Sequence, residues 1–325
     1  MGALLPLAAI ILPTAHTAPK AGAKRIVLVR GAPHDATDGD NLDEVLARLG
    51  KRGYVEGRDL VVHRLVIDFR IVEPPRRFDH VTERIRQECL PLRPDLFLTE
   101  GTWFTEAIRK VTRTVPIVTN VADPVGSGFA ASLARPGGNV TGLAQGVAET
   151  AAKSVEIVRL LVPRLTRLAV FHSPDVIGTR FGRLYEGAAR DAGIEPVMFP
   201  VEGEKALVAA IRRAASRRLE AGFLAIRDGF TDVAARAAID ARFPLFGHQD
   251  HFTERGCLAS YYSWDPDGPD RLAAVAEKVL RGGDPATIPF QYPLAYFLAL
   301  NRRTAKALGI EIPPDLLLRA DRVIE

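Results

Sequence analysis

Apolar runs of strand length alternate with helix-patterned segments along this chain, and the series runs through twice. Residues 25–30 (Arg25-Ile26-Val27-Leu28-Val29-Arg30) form a continuous apolar run of the kind that buries a parallel strand on both faces. After a polar loop over 31–40, Leu42, Val45, Leu46 and Leu49 keep helical spacing. Strand-like runs at 60–65, 95–99 and 115–119, with helical segments at 78–90 and 102–112 among them, complete a βαβαβαβ series. From 147 the pattern repeats: helices at 147–161, 181–192, 206–219 and 231–241, strands at 168–171, 196–199, 222–226 and 244–247. Such alternation predicts an α/β protein of two doubly wound parallel-sheet lobes.

Between the two series lies a polar and glycine-rich stretch. Asn120 and Asp123 follow the strand at 115–119 and should emerge at its end. Asp123 as N-cap with Pro124 in the first helical position predicts a short helix over 124–134, stopped by Pro136-Gly137-Gly138. Gly137, Gly138, Thr141 and Gly142 are expected to carry one crossing between lobes, with 262–266 and 290–293 as two more. Strands at 258–262 and 297–300 and helices at 266–280 and 301–308 remain for those crossings.

Composition narrows the function classes. The chain has 325 residues and a net charge of +4, and only 8 of its 43 basic residues are lysine. The arginines are dispersed among acidic residues, and the densest group, Arg212, Arg213, Arg217 and Arg218, sits on a helix pattern; a solvated face is expected there and no nucleic-acid partner. Cys89 and Cys257 are too few for a disulfide framework or a zinc site, although a pairing between them stays open. The apolar run Ala3–Leu12 has the length of an export signal and is too short to span a bilayer, so residues 1–23 are expected to be a signal peptide or tail. No basic residue precedes that run, and no cysteine follows it for lipidation.

Several segments together resemble the ABC-transporter substrate-binding proteins of the tryptophan/tyrosine-binding type. They are Ala122-Asp123-Pro124-Val125-Gly126-Ser127-Gly128, Arg135-Pro136-Gly137-Gly138-Asn139-Val140-Thr141-Gly142, and Gly53-Tyr54-Val55-Glu56-Gly57. In the tail the same likeness is carried by Asn301, Thr304-Ala305-Lys306-Ala307-Leu308-Gly309, Ile312-Pro313-Pro314 and Leu316-Leu317-Leu318-Arg319-Ala320-Asp321. The resemblance implies a type I periplasmic-binding-protein fold whose three-crossing hinge joins an N-terminal lobe (24–142 plus 263–290) to a C-terminal lobe (143–262 plus 291–325). It also implies a monomeric periplasmic receptor that passes a small-molecule ligand to an ABC permease in the inner membrane. Two departures fall in the expected pocket: Trp103 where the family usually has proline, and His248-Gln249-Asp250-His251 in place of an Asp-rich run.

In open α/β sheets a ligand binds beyond the carboxyl ends of the strands. Thr102 and Ser173, each opening a helix after a strand, are candidate carboxylate donors or plain caps. Asn120, Asp123, Asp228 and Asp250 follow strands and would accept from an ammonium or hydroxyl. Trp103 and Tyr262 stand for the aromatic residues gathered at these mouths, and with them an aromatic amino acid or related small carboxylate is the expected ligand. Neither a metal nor a cofactor is expected. Gly31-Ala32-Pro33-His34 replaces a dinucleotide loop after the first strand, and no nucleophile elbow is present. His172-Ser173 beside Asp175 is adjacent in sequence only, which seldom makes a triad. A sensory receptor for a membrane signalling partner is the alternative, and an α/β enzyme stands behind it.

Overall fold

The computed structural model describes residues 19–32, 41–68, 76–226 and 231–325. The first series forms β1 (Lys24–Gly31), α1 (Asn41–Lys51), β2 (Leu60–Ile67), α2 (Arg77–Arg84), β3 (Leu96–Glu100), α3 (Thr102–Val111), β4 (Ile117–Val121) and β5 (Val140–Ala144). These strands make a parallel sheet in the order β2-β1-β3-β4-β5. The alternation of β1 explains why helices cover both faces. Ile26 and Leu28 enter one core and Val27 and Val29 the other, and all four are buried.

The second series forms α4 (Val147–Leu161), β6 (Arg167–His172), α5 (Val176–Asp191), β7 (Glu195–Pro200) and α6 (Gly203–Ser216). It continues with β8 (Ala221–Ala225), α7 (Asp232–Asp240), β9 (Leu245–Gly247), α8 (Asp250–Glu254) and β10 (Ala259–Trp264). The chain then returns to the first lobe as α9 (Gly268–Leu280), whose Leu272, Ala273, Val275 and Ala276 pack into the core shared with α1. Finally β11 (Ala295–Asn301), α10 (Arg302–Leu308), α11 (Pro314–Leu318) and β12 (Arg322–Ile324) finish the second sheet, ordered β12-β11-β10-β9-β8-β6-β7. Its one antiparallel pairing is β10 with β11, because the chain comes back into this lobe from the hinge end, and β12, parallel to β11, shares that reversed sense.

The chain crosses between lobes three times, at 145–146, 265–267 and 292–294. The first crossing lies later than glycine content suggests. Thr141 and Gly142 belong to β5, held beside β4 from Ile117↔Val140 to Val121↔Ala144 and fully buried. Gly137 and Gly138 precede that strand, and the Gly137 N–H donates to Ala286 O (3.0 Å). Arg271 of α9 ties the other two crossings together. Its guanidinium pairs with Asp265 and donates to Gln291 Oε1 (3.2 Å) and Tyr292 O (2.7 Å).

The helix expected over 124–134 is instead a run of turns. Asp123 caps the first of them, accepting from Gly126 N (2.8 Å), and the left-handed Gly128 (φ 68°) reverses the chain so that Phe129 enters the core. Several of the residues behind the family likeness serve this architecture. Asn139 Nδ2 donates to Val115 O (2.8 Å), and Thr141 Oγ1 donates to Ile288 O (2.7 Å). Buried Asn301 caps α10 by accepting from Thr304 N (2.9 Å) and donates through Nδ2 to Thr253 O (2.9 Å). Cys89 and Cys257 are buried and free, in the cores of different lobes.

Candidate functional site

A cavity of about 530 Å³ opens between the lobes at the carboxyl ends of the strands. The first lobe supplies Glu100 and Asn120, paired side by side at the ends of β3 and β4, with Leu143 and Ala144 from β5. The second supplies Thr150 of α4, Tyr185 of α5, residues 248–251 after β9, and Tyr262 to Trp264 at the end of β10. The loops that follow β1, β2 and β8 start at this same edge of the two sheets and fall outside the described residues.

Four carboxylates border the cavity, Glu44, Glu100, Asp250 and Asp265, and no lysine or arginine does among the described residues. Glu44 pairs with Arg48 (2.7 Å) and Asp265 with Arg271. Asp250 Oδ1 accepts from the His251 N–H (2.8 Å). Burial, aided by the nearby Asp250 charge, pushes the Tyr262 phenol up to about 12. His248 is pushed the other way, down to about 4, because the atoms packed around it remove water from the charged form, with a contribution from His251. The ring is therefore neutral at pH 7, with Nδ1 donating to Leu224 O (2.9 Å).

Asn120, Asp250 and Tyr262 are the sequence-predicted residues that line the cavity. Thr102 opens α3 as expected, and its Oγ1 accepts from Ala122 N (3.4 Å); with half-buried Asp123 and Ser173 it sits at the same sheet edge but outside the cavity lining. Asp228 lies outside the described residues. Trp103 has to be corrected. It faces away from the cleft into the core behind the first sheet, 4% exposed, with Phe78 and Phe104 edge-on at 5.3 and 5.1 Å. Its place in the helix decides this, since the second position of α3 points to the α2 side. In the His172-Ser173-Asp175 run, His172 Nδ1 bonds the Ser173 carbonyl (2.9 Å), and Asp175 Oδ1 accepts from Gly178 N (2.8 Å). Among the described residues no group of His, Cys, Asp and Glu is arranged to hold a metal.

Sequence reasoning missed Tyr185 and gave His248 no role. Phe181 and Tyr185 share a helix face at i, i+4, which is also the signature of a core stripe, so nothing local marks Tyr185 as a cavity residue.

Comparison with known proteins agrees with this fold. A crystal structure from Streptococcus pneumonia, an ABC domain in complex with L-Trp, superposes with a TM-score of 0.74 at 21% identity, covering 94% of this chain and all of that one. A conserved domain protein from Vibrio cholerae gives a TM-score of 0.76 at 23% identity over 93% of this chain and 99% of its own. Both establish the type I periplasmic-binding-protein fold. A tyrosine-binding protein of Clostridioides difficile is 27% identical over 133 residues, which span 41% of this chain and 36% of that relative. The family model described as ABC transporter substrate binding protein matches residues 81–324. The chain therefore belongs to the ABC transporter substrate-binding protein family.

Proposed function

We propose that this protein is the extracytoplasmic ligand receptor of an ABC importer, periplasmic in location, acting as a monomer. It closes its lobes on an aromatic amino acid or related small carboxylate and hands the ligand unchanged to a membrane permease. One observation carries the reading: an interlobe cavity of about 530 Å³, acidic and aromatic in its lining, at the strand ends of both sheets. Asp250 attracts an ammonium group, while Tyr262 and Trp264 offer flat apolar surface. Asn120 supplies a further acceptor in the lining, while Asp123, Thr102 at the start of α3 and Ser173 after β6 stand at the same sheet edge and meet the ligand only as the lobes close. Closure follows because the ligand bridges half-sites on the two lobes and so favours the closed form. The apolar run near the N-terminus is the proposed export signal, and no helix among the described residues is long and apolar enough to cross a membrane.

Titration calorimetry of the whole chain with L-tryptophan and L-tyrosine, with ribose as control, tests this. The expected result is one-to-one binding of an aromatic amino acid with Kd at or below about 1 μM, worth about −8 kcal/mol, and recovery of the ligand unaltered. Heat with ribose alone, or conversion of the amino acid, would sink the proposal.

A further inference from the structure

Two polar groups on the cavity wall have hydrogen-bonding capacity that their printed partners do not fill. Tyr185 is fully buried, its ring stacked on Phe223 (3.9 Å between centroids), and its hydroxyl makes no hydrogen bond although it borders the cavity. The Thr150 hydroxyl stands close enough to perturb it but outside bonding geometry, and donates instead to Val147 O (3.1 Å). An unpaired buried hydroxyl is costly, so a native fold retains one where something else completes it. The second group is His248. Because Nδ1 carries the proton donated to Leu224 O, Nε2 of the neutral ring is an acceptor with a free lone pair. Phe181 lies against both, its ring centroid 5.6 Å from that of Tyr185 and 4.9 Å from that of His248.

A hydroxyl that can donate and a ring nitrogen that can only accept, both lining one cavity and both packed against Phe181, are together complementary to one ligand group, a neutral hydroxyl. That hydroxyl would donate to His248 Nε2 and accept from Tyr185. A carboxylate there would meet the imidazole lone pair with no cation in the described lining to offset it. We propose that Tyr185 and His248 form a hydroxyl-reading subsite on the second lobe, which selects a phenol-bearing ligand over its deoxy analogue. This inference rests on the amino-acid receptor reading above and names the side chain that such a receptor prefers.

The test is calorimetry on the full chain with L-tyrosine, L-phenylalanine and L-tryptophan, for the wild type, Tyr185→Phe and His248→Leu. The wild type is expected to bind L-tyrosine at least about tenfold more tightly than L-phenylalanine, since a site built for a hydroxyl rejects the analogue lacking it. Tyr185→Phe should weaken L-tyrosine, leave L-phenylalanine unchanged, and hold or raise the ligand-free melting temperature, because it removes an unpaired hydroxyl without changing shape. His248→Leu should shrink the same preference. A lower ligand-free melting temperature in Tyr185→Phe would show the hydroxyl to be bonded within the protein and would overturn the subsite. Binding of L-tryptophan with no separation of L-tyrosine from L-phenylalanine would overturn the subsite and leave the receptor standing. Silence towards all three amino acids would overturn both.

Discussion

Gly142→Ala is expected to prevent the first lobe from folding, with a loss above about 4 kcal/mol, at the extreme of single substitutions. Gly142 sits in the middle of β5 opposite Thr119 with φ at 145°, which side-chain-bearing residues rarely adopt. A methyl group there would stand 1.8 Å from Thr119 O and 2.8 Å from Thr119 N. Those atoms are main chain in the buried strand β4 and cannot turn aside as a flexible side chain would. Relief would need β5 to leave β4, and with it the Thr141 and Gln291 contacts that seat the third crossing. Gly50→Ala is the control: it lies in helix α1 with open space around it and should change stability by no more than about 1 kcal/mol, in the stabilising direction. Calorimetric melting of the two variants decides the matter. A Gly142→Ala protein that melts like the wild type would show that β5 is not seated as described.

Trp103→Ala is expected to cost about 3–5 kcal/mol of ligand-free stability, the usual range for emptying a large aromatic site in a core. The indole is 4% exposed and packed edge-on against Phe78 and Phe104, in a core that includes Cys89, Ala107 and Ile108. Denaturant melts without ligand distinguish this role from ligand stacking. A tryptophan waiting for a ligand would leave the empty protein's stability nearly unchanged and would abolish binding instead. That outcome would move Trp103 back to the cleft.

The contrast between Trp103 and its neighbours shows what sequence alone can carry. Periodicity reports which elements form: the two-sided burial of β1 and the helix over 147–161 were both legible because apolar spacing is a property of the segment itself. The direction of one side chain depends on helix phase to within a residue, and being next to a strand end says nothing about it. The turns over 124–134 were hidden for a related reason. Asp123-Pro124 is as good a start for a turn as for a helix, and the left-handed Gly128 with the inward Phe129 decides between them only in three dimensions. β5 was invisible because Thr141-Gly142 interrupts its apolar run, and the antiparallel sense of β11 depends on where the third crossing enters. Asn120, Asp250 and Tyr262 were legible as cavity residues because strand ends converge by topology. Tyr185 was not, since a residue half a lobe away in sequence reaches the cavity only through the packing of α4 on α5.

Small-angle scattering of the whole chain with and without saturating L-tyrosine or L-tryptophan tests the closing receptor most directly. Lobes that close on a bridging ligand predict a smaller radius of gyration in the bound state, reversed when the ligand is dialysed away. An unchanged radius at full occupancy would contradict closure, and with it the role assigned to the cavity between the lobes.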